Sequence, residues 1–230
     1  MKSIITFFVL ILSSPSFSQG KLSDFKKNKL IFRDDFDSLS KRWIIETPAH
    51  KNSKVFAADG KLIIDVAKGA TVWYDKKLAG NYIIEYKRKV IVNGGVNSRL
   101  SDLNNFWMAS DPKNANLFTR TGVFEEYDNL NLYYVGMGGN TNSTTRFRRY
   151  GGNERRLLKE YTDKEHLLEA NREYRIAIVY YNGESKFFVD GEEYFSFNDT
   201  VPLMGGYFGI RTTYSHHEID DFSIYSLKAR

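Results

Sequence analysis

The chain has 230 residues and 33 Lys and Arg against 28 Asp and Glu, a formal charge of +5 that favours an acidic partner through long-range attraction. It has no cysteine, which excludes disulfides, zinc–thiolate centres and cysteine nucleophiles and leaves the fold to its core alone. No nucleic-acid-binding motif accompanies the excess of cations, so nucleic acid is not an expected partner.

In chain order, Lys2 provides a short positive start, Ile4 to Leu12 is a nearly unbroken apolar run, and small residues follow from Ser13 to Ser18. This is the order of a secretory signal peptide over residues 1–18, with Ser16-Phe17-Ser18 as a small-x-small cleavage site. The apolar run is well short of the roughly 20 residues a membrane span needs, so membrane insertion is not expected. The chain is therefore expected in the periplasm or outside the cell. Residues 19–230 lie within the size range that a single β-sandwich fills.

A period of two dominates that region. Lys29–Phe36, Lys61–Val66, Ala70–Asp75 and Asn81–Val92 read as strands. So do Leu130–Val135, Thr144–Tyr150, Tyr174–Tyr181, Lys186–Val189, Tyr207–Arg211 and Ile219–Leu227. Asp59-Gly60, Asn182-Gly183 and Asp190-Gly191 are strong hairpin turns. Lys159–Ala170 is the one stretch with a helical pattern, though it also fits a loop. No repeat or linker divides the chain. The prediction is a single all-β domain of two stacked antiparallel sheets.

Several segments resemble a known superfamily. Phe32-Arg-Asp-Asp-Phe-Asp-Ser-Leu39 with Trp43, and then Gly60-Lys-Leu-Ile-Ile-Asp65, look like the opening of concanavalin-like jelly rolls. Phe187-Phe-Val-Asp-Gly-Glu192, Gly205-Gly-Tyr-Phe-Gly-Ile-Arg-Thr212 and Ile219-Asp-Asp-Phe-Ser-Ile224 look like their closing strands. The middle of the chain, from Asn104 to Pro112 and from Tyr133 to Tyr150, resembles secreted lyase-like proteins encoded among bacterial polysaccharide-degradation genes. The resemblance implies a jelly-roll β-sandwich and a polysaccharide or oligosaccharide partner. It does not by itself carry the chemistry.

Strand parity selects the candidate residues. Arg146, Arg148 and Tyr150 share one face of their strand, opposite Phe147; Tyr207, Gly209 and Arg211 share a face opposite Phe208 and Ile210. Arg88 is in step with Tyr82, Ile84, Tyr86 and Val90, which makes it either the polar centre of a groove or the end of a solvated stretch. Arginine matches a carboxylate with a planar fork of donors, and aromatic side chains suit sugar rings. An acidic, uronate-containing glycan offers both features. A polysaccharide lyase acting by β-elimination would neutralise the carboxylate, take the adjacent proton and protonate the leaving oxygen. Arg146, Arg211, Tyr134 and His216 are the catalytic candidates. Arg148, Tyr150, Trp107, Asn140, Tyr207, Arg88 and His217 are the substrate-binding candidates.

Two alternatives compete. Glu126 and Asp128 alternate as a pair of hydrolytic carboxylates would, although the further acid of the related glucanases is replaced here by Asn129, Leu130 and Asn131. A non-catalytic carbohydrate-binding module would use the same face, with Trp107 stacking on sugar between Asn104, Asn105 and Asp111. No cofactor is required by any of these chemistries. Asp34-Asp35 and Asp220-Asp221 are the only pairs that suggest a structural calcium.

Overall fold

The computed structural model describes residues 20–152 and 154–229; the expected signal peptide lies outside the described residues. The fourteen strands are β1 (Lys27–Asp34), β2 (Trp43–Glu46), β3 (Lys54–Ala58), β4 (Lys61–Tyr74), β5 (Leu78–Ala79), β6 (Tyr82–Ile91), β7 (Leu103–Ser110), β8 (Asn131–Gly138), β9 (Thr144–Gly151), β10 (Glu154–Tyr161), β11 (Glu173–Tyr181), β12 (Glu184–Val189), β13 (Glu192–Asn198) and β14 (Gly205–Leu227). All the pairings are antiparallel.

The hydrogen-bonded path folds into two layers because β14 and β4 serve both. The front layer runs β10-β9-β8-β7, the first half of β14, the second half of β4, and β2. The back layer runs β13-β12-β11-β6 and the second half of β14, with β1, the first half of β4, and β3 alongside. Between them lies the main core, with Trp107, Tyr133, Val135, Phe147, Phe208 and Ile210 from the front and Ile84, Tyr86, Ile176, Ile178, Phe187 and Phe222 from the back. The all-β sandwich expected from the period-two pattern is therefore the observed architecture.

β14 changes layer at a bulge. Its register against β4 slips between Thr213 and Ser215, and Tyr214 takes a left-handed φ of 48°. Even-numbered Phe208 and Ile210 face the core before the bulge; odd-numbered His217 and Ile219 are buried after it. The extra residue reverses which parity points inward.

The three hairpin turns have positive φ at both central residues: 52° and 70° at Asp59-Gly60, 50° and 84° at Asn182-Gly183, and 53° and 88° at Asp190-Gly191. This is the type I′ geometry that Asn-Gly and Asp-Gly favour. One expectation is corrected. Lys159–Ala170 is not a helix: Lys159, Glu160 and Tyr161 complete β10 by pairing with Phe147, Arg146 and Thr145, and only Lys164–His166 form a short 3-10 turn. The open edge of β9 offers hydrogen bonds that outweigh the weak helical pattern, and the charged residues suit an edge strand.

Candidate functional site

Cross-strand register aligns the front layer's outer face into rows. One row is polar: Glu46 lies beside Thr71, Thr71 beside Arg211, Arg211 beside Asn104, Asn104 beside Gly136, Gly136 beside Arg146, and Arg146 beside Glu160. The next row is largely aromatic: Ile44, Trp73, Gly209, Phe106, Tyr134 and Arg148. A third holds Leu132, Tyr150 and Arg155. Because each residue sits opposite its neighbour, side chains in adjacent rows form one continuous surface.

The segment from Asp111 to Leu130 covers the aromatic part of this surface. Leu117, Tyr127 and Leu130 pack on Trp73, Phe106, Tyr134 and Tyr150 in a second buried cluster. Glu46 pins the cover, accepting hydrogen bonds from Trp73 Nε1 (2.8 Å), the Tyr127 hydroxyl (2.8 Å) and the Arg120 backbone N–H (2.8 Å). Arg120 in turn forms a buried ion pair with Asp111 at 2.7 Å.

At the end of the cover a pocket of about 350 Å³ remains open, lined by Tyr134, Gly136, Asn104, Arg146, Arg148, Asp102 and Asn140, with Phe124 and Glu125 from the covering segment. The Tyr134 ring lies back along its own strand over Gly136. A Cβ at Gly136 would collide with the Tyr134 hydroxyl and stand 2.9 Å from Asn104 Oδ1. Glycine is thus the residue that lets a phenol and an amide share this floor. Burial raises the Tyr134 hydroxyl far above its ordinary range, so it is held protonated. Burial also raises the Asp102 carboxyl, against the opposing pull of Arg99.

Arg211 lies beside the pocket, behind Phe124. Its side chain is fully buried, with Nη1 donating to Thr71 Oγ1 (2.9 Å) and to the Gly122 carbonyl (3.0 Å). Its Nε and Nη2 have no hydrogen-bond partner among the described residues. The guanidinium is 5.0 Å from the Phe124 ring centroid and 4.9 Å from that of Tyr127. Neither Arg211 nor Arg148 forms an ion pair with a described residue, whereas Arg146 is bonded to Glu160. Burial lowers the Arg211 pKa, with Tyr127, Tyr134 and Asp102 pulling the other way.

The structure thus brings Arg146, Arg148, Tyr134 and Asn140 to one pocket and sets Arg211 and the buried Tyr150 next to it. Other candidates lie elsewhere. Trp107 is a core residue between the layers, donating from Nε1 to Ser185 Oγ at 3.2 Å, and is not a sugar platform. Arg88 and His217 also point into the interior: Arg88 Nε donates to His217 Nδ1 at 3.0 Å, and Arg88 Nη1 and Nη2 donate to the carbonyls of Asn104 (3.0 Å) and Arg211 (2.9 Å). The parity that joined Arg88 to Ile84 and Tyr86 was right, but their shared face is the core. His216 lies past the Tyr214 bulge, on a different pocket. Tyr207 shares the front face with Arg211 but packs against Phe118 at 4.8 Å, away from the pocket.

The hydrolytic pair is not assembled as expected. Phe124–Tyr127 is a 3-10 turn and not a strand; Glu126 binds Thr121 N (2.7 Å) and Oγ1 (2.8 Å), and Asp128 pairs with Arg155. The calcium candidates are likewise engaged: Asp34 with Trp43 and Phe36, Asp35 with Arg33, Asp221 with Lys87. Among the described residues no group of three or more His, Asp or Glu is placed to hold a metal. No described helix is long and apolar enough to cross a membrane.

Sequence reasoning missed Asp102 and Glu46 as parts of this surface, and it named Asn104 only as a sugar-binding neighbour of Trp107, which is buried in the core instead. Asn104 carried a signal, since its strand alternates with Phe106, but β7 was not recognised as a strand.

Residues 64–222 match a family described as a domain of unknown function, DUF6250. The chain belongs to the DUF6250 family. No curated protein sequence matches it. Among solved structures it is similar to a protein of unknown function with a galectin-like fold from Bacillus subtilis, at 18% identity and a TM-score of 0.74, over 90% of this chain and 100% of that one. It is also similar to the carbohydrate-binding module CBM66 from Bacillus subtilis (12% identity, TM-score 0.56, 80% and 96% covered). An endo-β-1,3-glucanase from Pyrococcus furiosus is a further neighbour (13% identity, TM-score 0.59, 88% and 95% covered). At these identities the likeness establishes the sandwich fold of this DUF6250 protein and leaves its chemistry to the pocket.

Proposed function

We propose that this DUF6250 protein is an exported carbohydrate-active enzyme that cleaves an acidic, uronate-containing polysaccharide by β-elimination. One observation carries the reading: Arg148, without a carboxylate partner among the described residues, shares a pocket with a protonated Tyr134 and the amide of Asn104. Arg148 would receive the uronate carboxylate on its planar fork and, with Asn104, stabilise the charge that develops there. The C5–H bond then breaks, its proton passing to the Asp102 carboxylate, whose proton affinity burial has raised. As the C4–C5 double bond forms, the C4–O bond breaks and Tyr134 delivers its proton to the leaving oxygen. The carbohydrate-binding and carbohydrate-cleaving neighbours of the same fold support the substrate class.

A second reading has its own observation. Asp102 and Glu125 both line the pocket, and a carboxyl of raised proton affinity sharing a pocket with an exposed carboxylate is a pairing hydrolysis can use. The test is ultraviolet absorbance at the unsaturated-uronate band while purified protein meets a panel of acidic polysaccharides. Absorbance that rises with wild type and is lost with both Arg148→Ala and Tyr134→Phe supports elimination. Reducing ends without absorbance establish hydrolysis, and binding without either product establishes a non-catalytic module.

A further inference from the structure

A second pocket, of about 340 Å³, lies on the far side of the β6–β7 connection, and the function proposed above makes no use of it. It is lined by Lys51, Asn52 and Lys54 around the start of β3, Asp65 of β4, Asn93 and Gly95 to Ser98 of the connection, and His216 of β14. The same connection supplies Arg99 and Asp102 to the first pocket, and the same strand supplies Thr213 to the first and His216 to the second. The two pockets therefore flank one segment of chain.

The chemistry of the lining is mixed in a specific way. Asn97 is only 5% exposed, and its Nδ2 donates to the Asn52 carbonyl (2.8 Å) and to Asp65 Oδ1 (2.7 Å). Its Oδ1 is shielded from water and has no partner, and His216 Nε2 is in the same condition. Buried polar atoms are normally paired, so two such atoms at one pocket mark a place prepared for a ligand's polar groups. Lys51 and Lys54 form no ion pair with a described residue and bring positive charge to the rim. Val96, 66% exposed, adds an apolar surface beside them.

The geometry points to a second binding site for a sugar acid, with the carboxylate on Lys51 and Lys54, ring hydroxyls donating to Asn97 Oδ1 and Asp65, and a C–H face against Val96. A bare anion such as sulfate satisfies only half of this set, because it has no proton to offer an amide oxygen or a carboxylate. A neutral sugar leaves the lysines without a counter-charge. The inference rests on the acidic-glycan reading for the kind of sugar, but it concerns binding and not cleavage.

The experiment is a titration of the full chain with D-galacturonate and, separately, D-glucuronate, following the imidazole resonances of His216 by NMR, assigned with His216→Gln. A saturable shift is expected with at least one of the two. It should weaken about five-fold or more in Asn97→Ala and in Lys51→Ala/Lys54→Ala, and be unchanged in Arg148→Ala. The double lysine variant alters exposed side chains only, so it reports on binding even if Asn97→Ala folds poorly. No shift with either uronate, an equal shift with sulfate or glucose, or an affinity indifferent to the lysines overturns the second site. Elimination lost in Arg148→Ala while the His216 shift is absent sinks this site alone. A shift without any elimination sinks only the reaction.

Discussion

Acid should destabilise this protein through one residue in particular. His217 is fully buried, and burial holds its pKa well below the ordinary 6.5, with the adjacent Arg88 guanidinium acting in the same direction. His216 and Arg99 also disfavour its protonation, and only the Ser101 carbonyl favours it. Because Nδ1 accepts from Arg88, the neutral ring carries its proton on Nε2, facing Thr212 Oγ1 (2.8 Å) and the Ser101 carbonyl (3.2 Å). Below its ordinary pKa the unfolded chain binds a proton that the folded chain refuses. Stability is therefore fully present above about pH 6.5 and is lost as pH falls towards the depressed folded value. Between neutrality and about pH 5 the unfolded state gains a factor of about 30, or about 2 kcal/mol, which for a domain of this size lowers Tm by about 4–8 °C. Thermal or urea unfolding of wild type and His217→Asn across that range isolates the contribution. Asparagine retains an acceptor for Arg88 Nε and does not titrate, while the surface carboxylates affect both proteins alike. Parallel stability–pH curves for the two would refute the reasoning; the expected result is a wild-type curve that falls more steeply by about 2 kcal/mol.

Two other substitutions probe the site and its cover. Gly136→Ala should displace the Tyr134 hydroxyl, lowering turnover on an acidic polysaccharide at least ten-fold while costing about 1–3 kcal/mol of stability, as read by initial rates beside a melting curve. Glu46→Ala removes the common acceptor of Trp73, Tyr127 and the Arg120 N–H and should cost about 3–5 kcal/mol, with faster hydrogen exchange across the 111–130 segment; Glu46→Gln keeps one acceptor oxygen and should cost less.

The sandwich was legible because its determinants are local. Asn182-Gly183 and Asp190-Gly191 fix two hairpins by backbone preference alone, and Phe147 against Arg146 and Arg148 fixes which face of β9 is buried. The candidate site was legible only where one strand's parity sufficed. For β6, parity placed Arg88 on a single face but could not say whether that face was solvent or core, because an arginine bonded to carbonyls and a histidine is buried by partners distant in sequence. His216 was misplaced because nothing in Thr212-Thr213-Tyr214-Ser215 announces that the strand continues through them into the other layer, with Tyr214 at a left-handed φ of 48°. Glu46 was invisible for a related reason. Its role depends on a row spanning β2 to β10, and rows are a property of register between strands.

The passage of β14 through both layers has a consequence for how the molecule is made. Until Gly205–Leu227 has been synthesised, β7 and β6 each lack their second strand neighbour, and β1 lacks the strand it pairs with. A chain holding everything before Gly205 has open edges at β6 and β7, and the many contacts of long sequence separation through β14 must wait for that strand. Completion of one layer is therefore coupled to completion of the other, because both wait for the same strand.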